Sequence, residues 1–141
     1  MSPSGSAFVL DCSIAMSWCF EDEARAETDL LLDRLRDDGA MVPALWFWEV
    51  ANVLNGAVRR GRLGVTDVAA RLALLSALPI AADDEGAARA WRETLTLAGT
   101  HGLTVYDAAY LELAARHGAD LATNDKALRE AAARVGIKAI P

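Results

Sequence analysis

The chain has 141 residues, enough for one domain whose core needs no disulfide or metal staple. With 53% hydrophobic and 24% charged residues it has the balance of a globular protein rather than a disordered one. A net charge of −6 speaks against a general nucleic-acid coat protein, whose phosphate contacts reward Lys and Arg, and no apolar run approaches the length of a membrane span.

From the amino terminus, Met1–Ser6 is small and polar and lacks the basic and apolar regions of a signal peptide. It is expected to be a disordered leader, with a single domain over 7–141. Ala7–Leu10 reads as a first strand, Ser13–Phe20 as a short helix, and Ala24–Asp37 as a longer one ended by Gly39. Met41–Val42 is a brief strand stopped by Pro43, and a helix follows from Ala44 to Arg60, closed by Gly61. Asp67–Leu78 is predicted helical up to Pro79, Ile80–Ala82 is a strand, and Asp84–Ala98 is a helix broken between Gly99 and Gly102. Thr104 and Asp107 have capping-box spacing at the head of a helix that runs to His117, with Gly118 as its C-cap. Leu121–Thr123, Lys126–Val135 and Ile137–Ile140 complete a strand–helix–strand ending. Strands separated by helices imply parallel pairing, hence an α/β sandwich of three layers with a central, mainly parallel sheet. Cys12 and Cys19 have neither CxxC spacing nor a disulfide framework, which suits a reducing, cytoplasmic location.

In an open parallel sheet, ligands bind beyond the carboxyl ends of the strands. Four acids fall there. Asp11 ends the first strand, Asp125 follows the fourth, Asp107 sits in the first turn of its helix, and Glu49 is the one acid in the apolar run from Leu45 to Val50. Each has a simple structural alternative: Asp11 and Asp125 as helix caps, Asp107 as a partner of the helix dipole, Glu49 as an ion-pair member. Jointly, four carboxylates at one sheet edge would repel, by roughly 4 kcal/mol per pair about 4 Å apart at an intermediate dielectric, so a cation belongs between them. Oxygen-only donors favour Mg²⁺ or Mn²⁺, and His101 and His117 have no zinc-ligand spacing. Such a site suits phosphoryl chemistry. Asp120 precedes its strand and is expected at the opposite end of the sheet.

Four segments in order, Val9-Leu10-Asp11-Cys12-Ser13, Pro43-Ala44-Leu45 leading to Glu49-Val50-Ala51-Asn52-Val53-Leu54, Tyr106-Asp107-Ala108-Ala109-Tyr110-Leu111-Glu112-Leu113-Ala114, and Leu121-Ala122-Thr123-Asn124-Asp125-Lys126-Ala127-Leu128, resemble the successive motifs of PIN-domain proteins. The resemblance runs from Phe8 to Ile140 and is nearest to the VapC-like toxins of bacterial toxin–antitoxin pairs. It implies a PIN-like fold and a metal-dependent endoribonuclease whose catalytic and metal-binding acids are Asp11, Glu49, Asp107 and Asp125, the last completing the site or binding a second ion. Ser13, Asn52 and Thr123 match polar residues that support these acids. The resemblance further implies a homodimer and a VapB-like antitoxin that covers an apolar groove.

The consecutive Trp46, Phe47 and Trp48 span too wide an arc of a helix for one core-facing stripe, and Trp18 and Phe20 raise the same question. These five are the candidates for partner contacts. Arg59, Arg60 and Arg62 are the candidates for RNA-backbone contacts, with a solvated helix end as the alternative. Among rival readings, a haloacid-dehalogenase-type phosphatase wants a second Asp two residues after the first, where Ser13 stands. A receiver-type signalling domain wants a late lysine in a context that neither Lys126 nor Lys138 has. A non-catalytic PIN-like interaction module is expected to have lost metal ligands, and all four are present.

Overall fold

The computed structural model describes residues 7–141; the expected leader, 1–6, lies outside the described residues. The first strand, β1 (Phe8–Leu10), is three apolar residues without solvent exposure. An unbroken apolar run of this kind belongs to a strand covered by helices on both faces. The chain continues through α1 (Cys12–Cys19), a 3₁₀ turn at Glu21–Glu23, α2 (Ala26–Asp38), β2 (Ala40–Val42), α3 (Leu45–Arg59), α4 (Val65–Ser76) and β3 (Ile80–Ala82). A second half follows: α5 (Gly86–Arg89), a π-helical segment at Ala90–Thr94, α6 (Leu95–His101), α7 (Val105–His117), β4 (Leu121–Ala122), α8 (Lys126–Arg134) and β5 (Ala139–Ile140).

The five strands form one sheet in the order β3-β2-β1-β4-β5, every pair parallel. β1 is therefore central. The chain lays β2 and β3 on one side of it, then crosses to place β4 and β5 on the other. The boundary between β1 and β4 is where the winding reverses, and crevices for ligands open at such a boundary beyond the strands' carboxyl ends. Fully buried Ile14 of α1, Leu35 of α2, Leu54 of α3, Tyr110 of α7 and Leu128 of α8 join the strand residues in one contiguous core.

Several boundaries differ from expectation. The stretch 86–101 is helical throughout, and Gly99 does not break it; a helical glycine costs only about 1 kcal/mol. The stop comes at Gly102, whose φ of 65° is the left-handed turn glycine tolerates, with the Leu103 N–H returning to Ala98 O at 3.0 Å. α4 begins two residues early because the Asp67 carboxylate reaches back to the Gly64 N–H at 2.8 Å. β5 keeps only two of its four expected residues.

One polar cluster pins α7 to the end of β3. Arg116, with only 11% of its side chain exposed, donates to both oxygens of Asp83 (2.7 and 3.0 Å) and both of Glu112 (2.9 and 2.6 Å). These bonds hold the Asp83 carboxyl below its usual range. At the opposite end of the sheet, Asp120 pairs with Arg34 at 3.1 Å, as its place before β4 requires.

Candidate active site

Asp11 follows β1 directly and stands at the head of α1, yet its side chain does not cap that helix. Its backbone N–H donates to Ala122 O at 3.0 Å, carrying the β1–β4 pairing one residue past the strand and bringing the residue beside Thr123. Oδ2 of Asp11 accepts from Thr123 Oγ1 at 2.6 Å and from Ser13 Oγ at 2.8 Å. Both hydroxyls are themselves held by the loop after β4: Thr123 Oγ1 accepts from the Asp125 N–H at 3.0 Å, Ser13 Oγ from the Asn124 N–H at 3.1 Å. A hydroxyl has one proton, and with a backbone donor on its lone pair that proton goes to Asp11. Oδ2 is thus taken by two hydroxyl donors.

The other three acids come from separate helices. Glu49 is half-buried on α3, and its Oε1 accepts from the Tyr110 hydroxyl of α7. Asp107 lies in the first turn of α7, where Thr104 caps the helix by accepting the Asp107 N–H at 3.1 Å. Asp125 does cap α8, through Oδ2 and the Leu128 N–H at 2.8 Å, so the structural alternative holds for one of its two oxygens.

Electrostatics tie the four together. Burial raises the carboxyls of Asp11, Glu49 and Asp107, and neighbouring charge raises them further: Asp125 acts on Asp11, Asp11 and Asp107 on Glu49, Asp125 and Asp11 on Asp107. Burial and the adjacent Glu49 also push the Tyr110 phenol up, so it remains a neutral donor. The Cys12 thiol, beneath the site, is pushed up to about 12 by burial and by Glu49 and Asp11, which leaves it inert.

A hard divalent cation fits this donor set. All available atoms are carboxylate oxygens, burial and then neighbouring like charge raise three of the acids, and a cation would offset both. Among the described residues the tightest acidic trio, with oxygens within 4.8 Å of one another, is Asp83, Asp84 and Glu85. That trio is the weaker metal candidate, because Arg116 already neutralises Asp83. The four crevice acids stand wider apart, as carboxylates repelling one another do.

The remaining expected residues divide. Asn52 is exposed on α3 and takes no part in the bonds that hold the acids. Phe20 and Trp46 are buried core residues, although one edge of Trp46 lines the cleft between α3 and α4; the Trp46 indole N–H is buried without an acceptor. Trp18 is half-buried and donates to Thr28 O at 2.7 Å, a bond that ties α1 to α2. Phe47 and Trp48 do face outward, at 46% and 71% exposure. Arg62 pairs with Asp22 at 3.1 Å and lies 4.7 Å over the Phe20 ring. Arg59 and Arg60 are exposed. Tyr110 was not among the expected site residues. Its signal was its position three residues after Asp107, on the same face of α7.

Comparison with known proteins agrees with this geometry. The PIN domain family model matches residues 8–134. Ribonuclease VapC3 of Pyrobaculum aerophilum is 39% identical over 83 residues, which take in 59% of this chain and 63% of that relative; the chain thus spans less than two thirds of the relative's length. The crystal structure of PAE2754 from Pyrobaculum aerophilum superposes with a TM-score of 0.69 at 23% identity, covering 93% of this chain and 83% of the other. That of FitAcB from Neisseria gonorrhoeae gives 0.56 at 18% identity, covering 95% and 96%. At these identities the two structures speak for the fold.

Proposed function

Because this chain belongs to the PIN-domain family, we propose that it is a Mg²⁺- or Mn²⁺-dependent endoribonuclease working in the crevice of Asp11, Glu49, Asp107 and Asp125. The observation that carries the reading is the Asp11 carboxylate, held by two hydroxyls at the β1–β4 boundary, with burial and neighbouring carboxylates raising the proton affinity of Asp11, Glu49 and Asp107. Similarity to a protein named as a ribonuclease supports the same choice.

Asp11, Glu49 and Asp107 would hold the ion, with Asp125 completing the set through its second oxygen. A divalent cation there supplies positive charge for the scissile phosphate and lowers the pKa of an attacking water. The chain's own part is orientation. Ser13 and Thr123 fix Asp11, Tyr110 fixes Glu49, and the partly buried walls strengthen each interaction by lowering the local dielectric. His117 lies at the far end of α7 from Asp107.

We further read the chain as the toxin of a VapBC-like pair, cytoplasmic and homodimeric, held by a VapB-like antitoxin. Trp46, Phe47, Val50, Leu72, Leu75 and Leu78 line a cleft of about 280 Å³ between α3 and α4, which suits an apolar helical segment. Among the described residues no helix is long and apolar enough to cross a membrane.

The test is incubation of a structured RNA pool with Mg²⁺ or Mn²⁺, with EDTA, and with the Asp11→Asn variant. Cutting with the divalent ion and loss of cutting in the other two arms is the expected result. Undiminished cutting in EDTA or by the variant would overturn the site assignment.

A further inference from the structure

We infer that the exposed stripe Trp48–Asn52–Asn55–Arg59 along α3 is the track on which single-stranded RNA lies as it enters the acid crevice; the inference rests on the ribonuclease reading above. Positions i, i+4, i+7 and i+11 share one face of a helix, and this face runs about 16 Å. All four residues are exposed, whereas Trp46, Val50, Leu54 and Ala57 on the other side of α3 are buried in the core. The stripe starts beside Glu49 in sequence and on the helix surface, so it is continuous with the proposed site.

Its chemistry favours a nucleic acid over a protein. Only one of the four residues is apolar, too few for an interface between copies or for an antitoxin helix, which the apolar cleft behind Phe47 suits better. An aromatic face for stacking, two side-chain amides for base edges or sugars and a guanidinium for phosphate are the parts from which single-strand sites are built. Arg60 adds a second cation. It folds back against Gly56, where an added Cβ would meet its Nη1 at 3.1 Å, and with Arg59 it lines a cleft of about 360 Å³. Among the described residues neither Arg59 nor Arg60 is ion-paired; Arg71, Arg92 and Arg134 are not either, and what sets Arg59 and Arg60 apart is their place at the end of the helix that carries Glu49. Two exposed cations at the far end of the stripe give a phosphate backbone a positive anchor on a chain whose net charge is −6. The strand must be single, because Trp48 can stack only on a base whose face is not already covered.

The experiment measures binding of a fluorescein-labelled, mixed-sequence RNA oligonucleotide, single-stranded or annealed to its complement, in the uncleaving Asp11→Asn background with Mg²⁺. On that background Trp48→Ala should weaken single-strand binding about 10-fold and duplex binding hardly at all, and Trp48→Phe should restore most of the loss. Arg59→Ala should lower the slope of log affinity against log salt by about 0.7. Unchanged binding in both Ala variants, with the parent binding RNA, would overturn the track and leave the ribonuclease reading intact. Absence of RNA binding by the parent would overturn both. A shift from dimer to monomer on Trp48→Ala would assign the stripe to a copy–copy contact and overturn the inference.

Discussion

Asp11→Asn separates charge from shape at the centre of the site, and its effect on stability should be opposite with and without metal. The side chain is 8% exposed, and its bonded oxygen serves two hydroxyl donors that an amide oxygen can accept equally well. The substitution therefore keeps the contacts and removes a buried charge that burial and Asp125 both disfavour. Because the folded-state pKa is raised, the wild-type contribution is fully present below the unfolded carboxyl value near 3.9 and is lost as pH rises through the folded value. Each unit of elevation is worth about 1.4 kcal/mol. In EDTA at pH 7 the variant should thus melt no lower than wild type, with its relative advantage shrinking as pH falls toward 4. Mg²⁺ at a hundred times its dissociation constant should stabilise the wild type by about 2.7 kcal/mol, which for a chain of this size is about 8 °C. The variant should gain little. Thermal melts by circular dichroism at pH 4.5 and 7, with and without Mg²⁺, measure all of this. A variant several degrees less stable in EDTA, or one that gains as much from Mg²⁺ as wild type, would refute the reasoning.

Tyr110→Phe keeps the core ring and removes the Glu49 donor, a charge-assisted bond of about 1.5–3 kcal/mol. It should raise the Glu49 pKa further, visible as a displacement of the rising limb of kcat/KM against pH to higher pH. Thr123→Val leaves the Asp125 N–H without its acceptor and Asp11 without its nearest donor, so a urea titration should show a loss of about 1–3 kcal/mol along with a fall in turnover. Arg116→Met strands the buried Asp83 and Glu112 carboxylates and should cost about 3–5 kcal/mol in the same titration. Arg62→Ala breaks an exposed pair and should move stability by less than about 1 kcal/mol, with RNA affinity nearly unchanged.

The alternation of apolar strands and amphipathic helices was readable along the chain, and the acids at Asp11 and Asp125 could be assigned to strand ends on that ground alone. The strand order was not. Nothing local tells β4 to cross to the far side of β1, because the crossing is decided by how the helices pack, and that crossing is what brings Thr123 against Asp11. Tyr110 sits in a run of apolar and Ala residues and reads as core; its hydroxyl becomes informative only when α3 and α7 are known to face each other. Arg62 and Arg116 look alike in sequence, yet one covers Phe20 and the other is buried between two carboxylates. The three aromatics of α3 show the same limit. Pattern established that they could not all point inward, while the docking angle of the helix chose Trp46 for the interior and Phe47 and Trp48 for the surface.

Asp125 caps a helix and, on the proposed reading, also serves the metal site, and evolution would release the two roles at different times. A lineage that gave up catalysis could replace Glu49 or Asp107 at little expense to the fold, and would relieve repulsion by doing so. Asp125 would remain under selection, because its Oδ2 closes the first turn of α8 and a helix cap is worth about 1 kcal/mol. An acid retained at this position in a degenerate descendant is therefore a record of helix stability, and the loss of activity is to be read from the acids of α3 and α7.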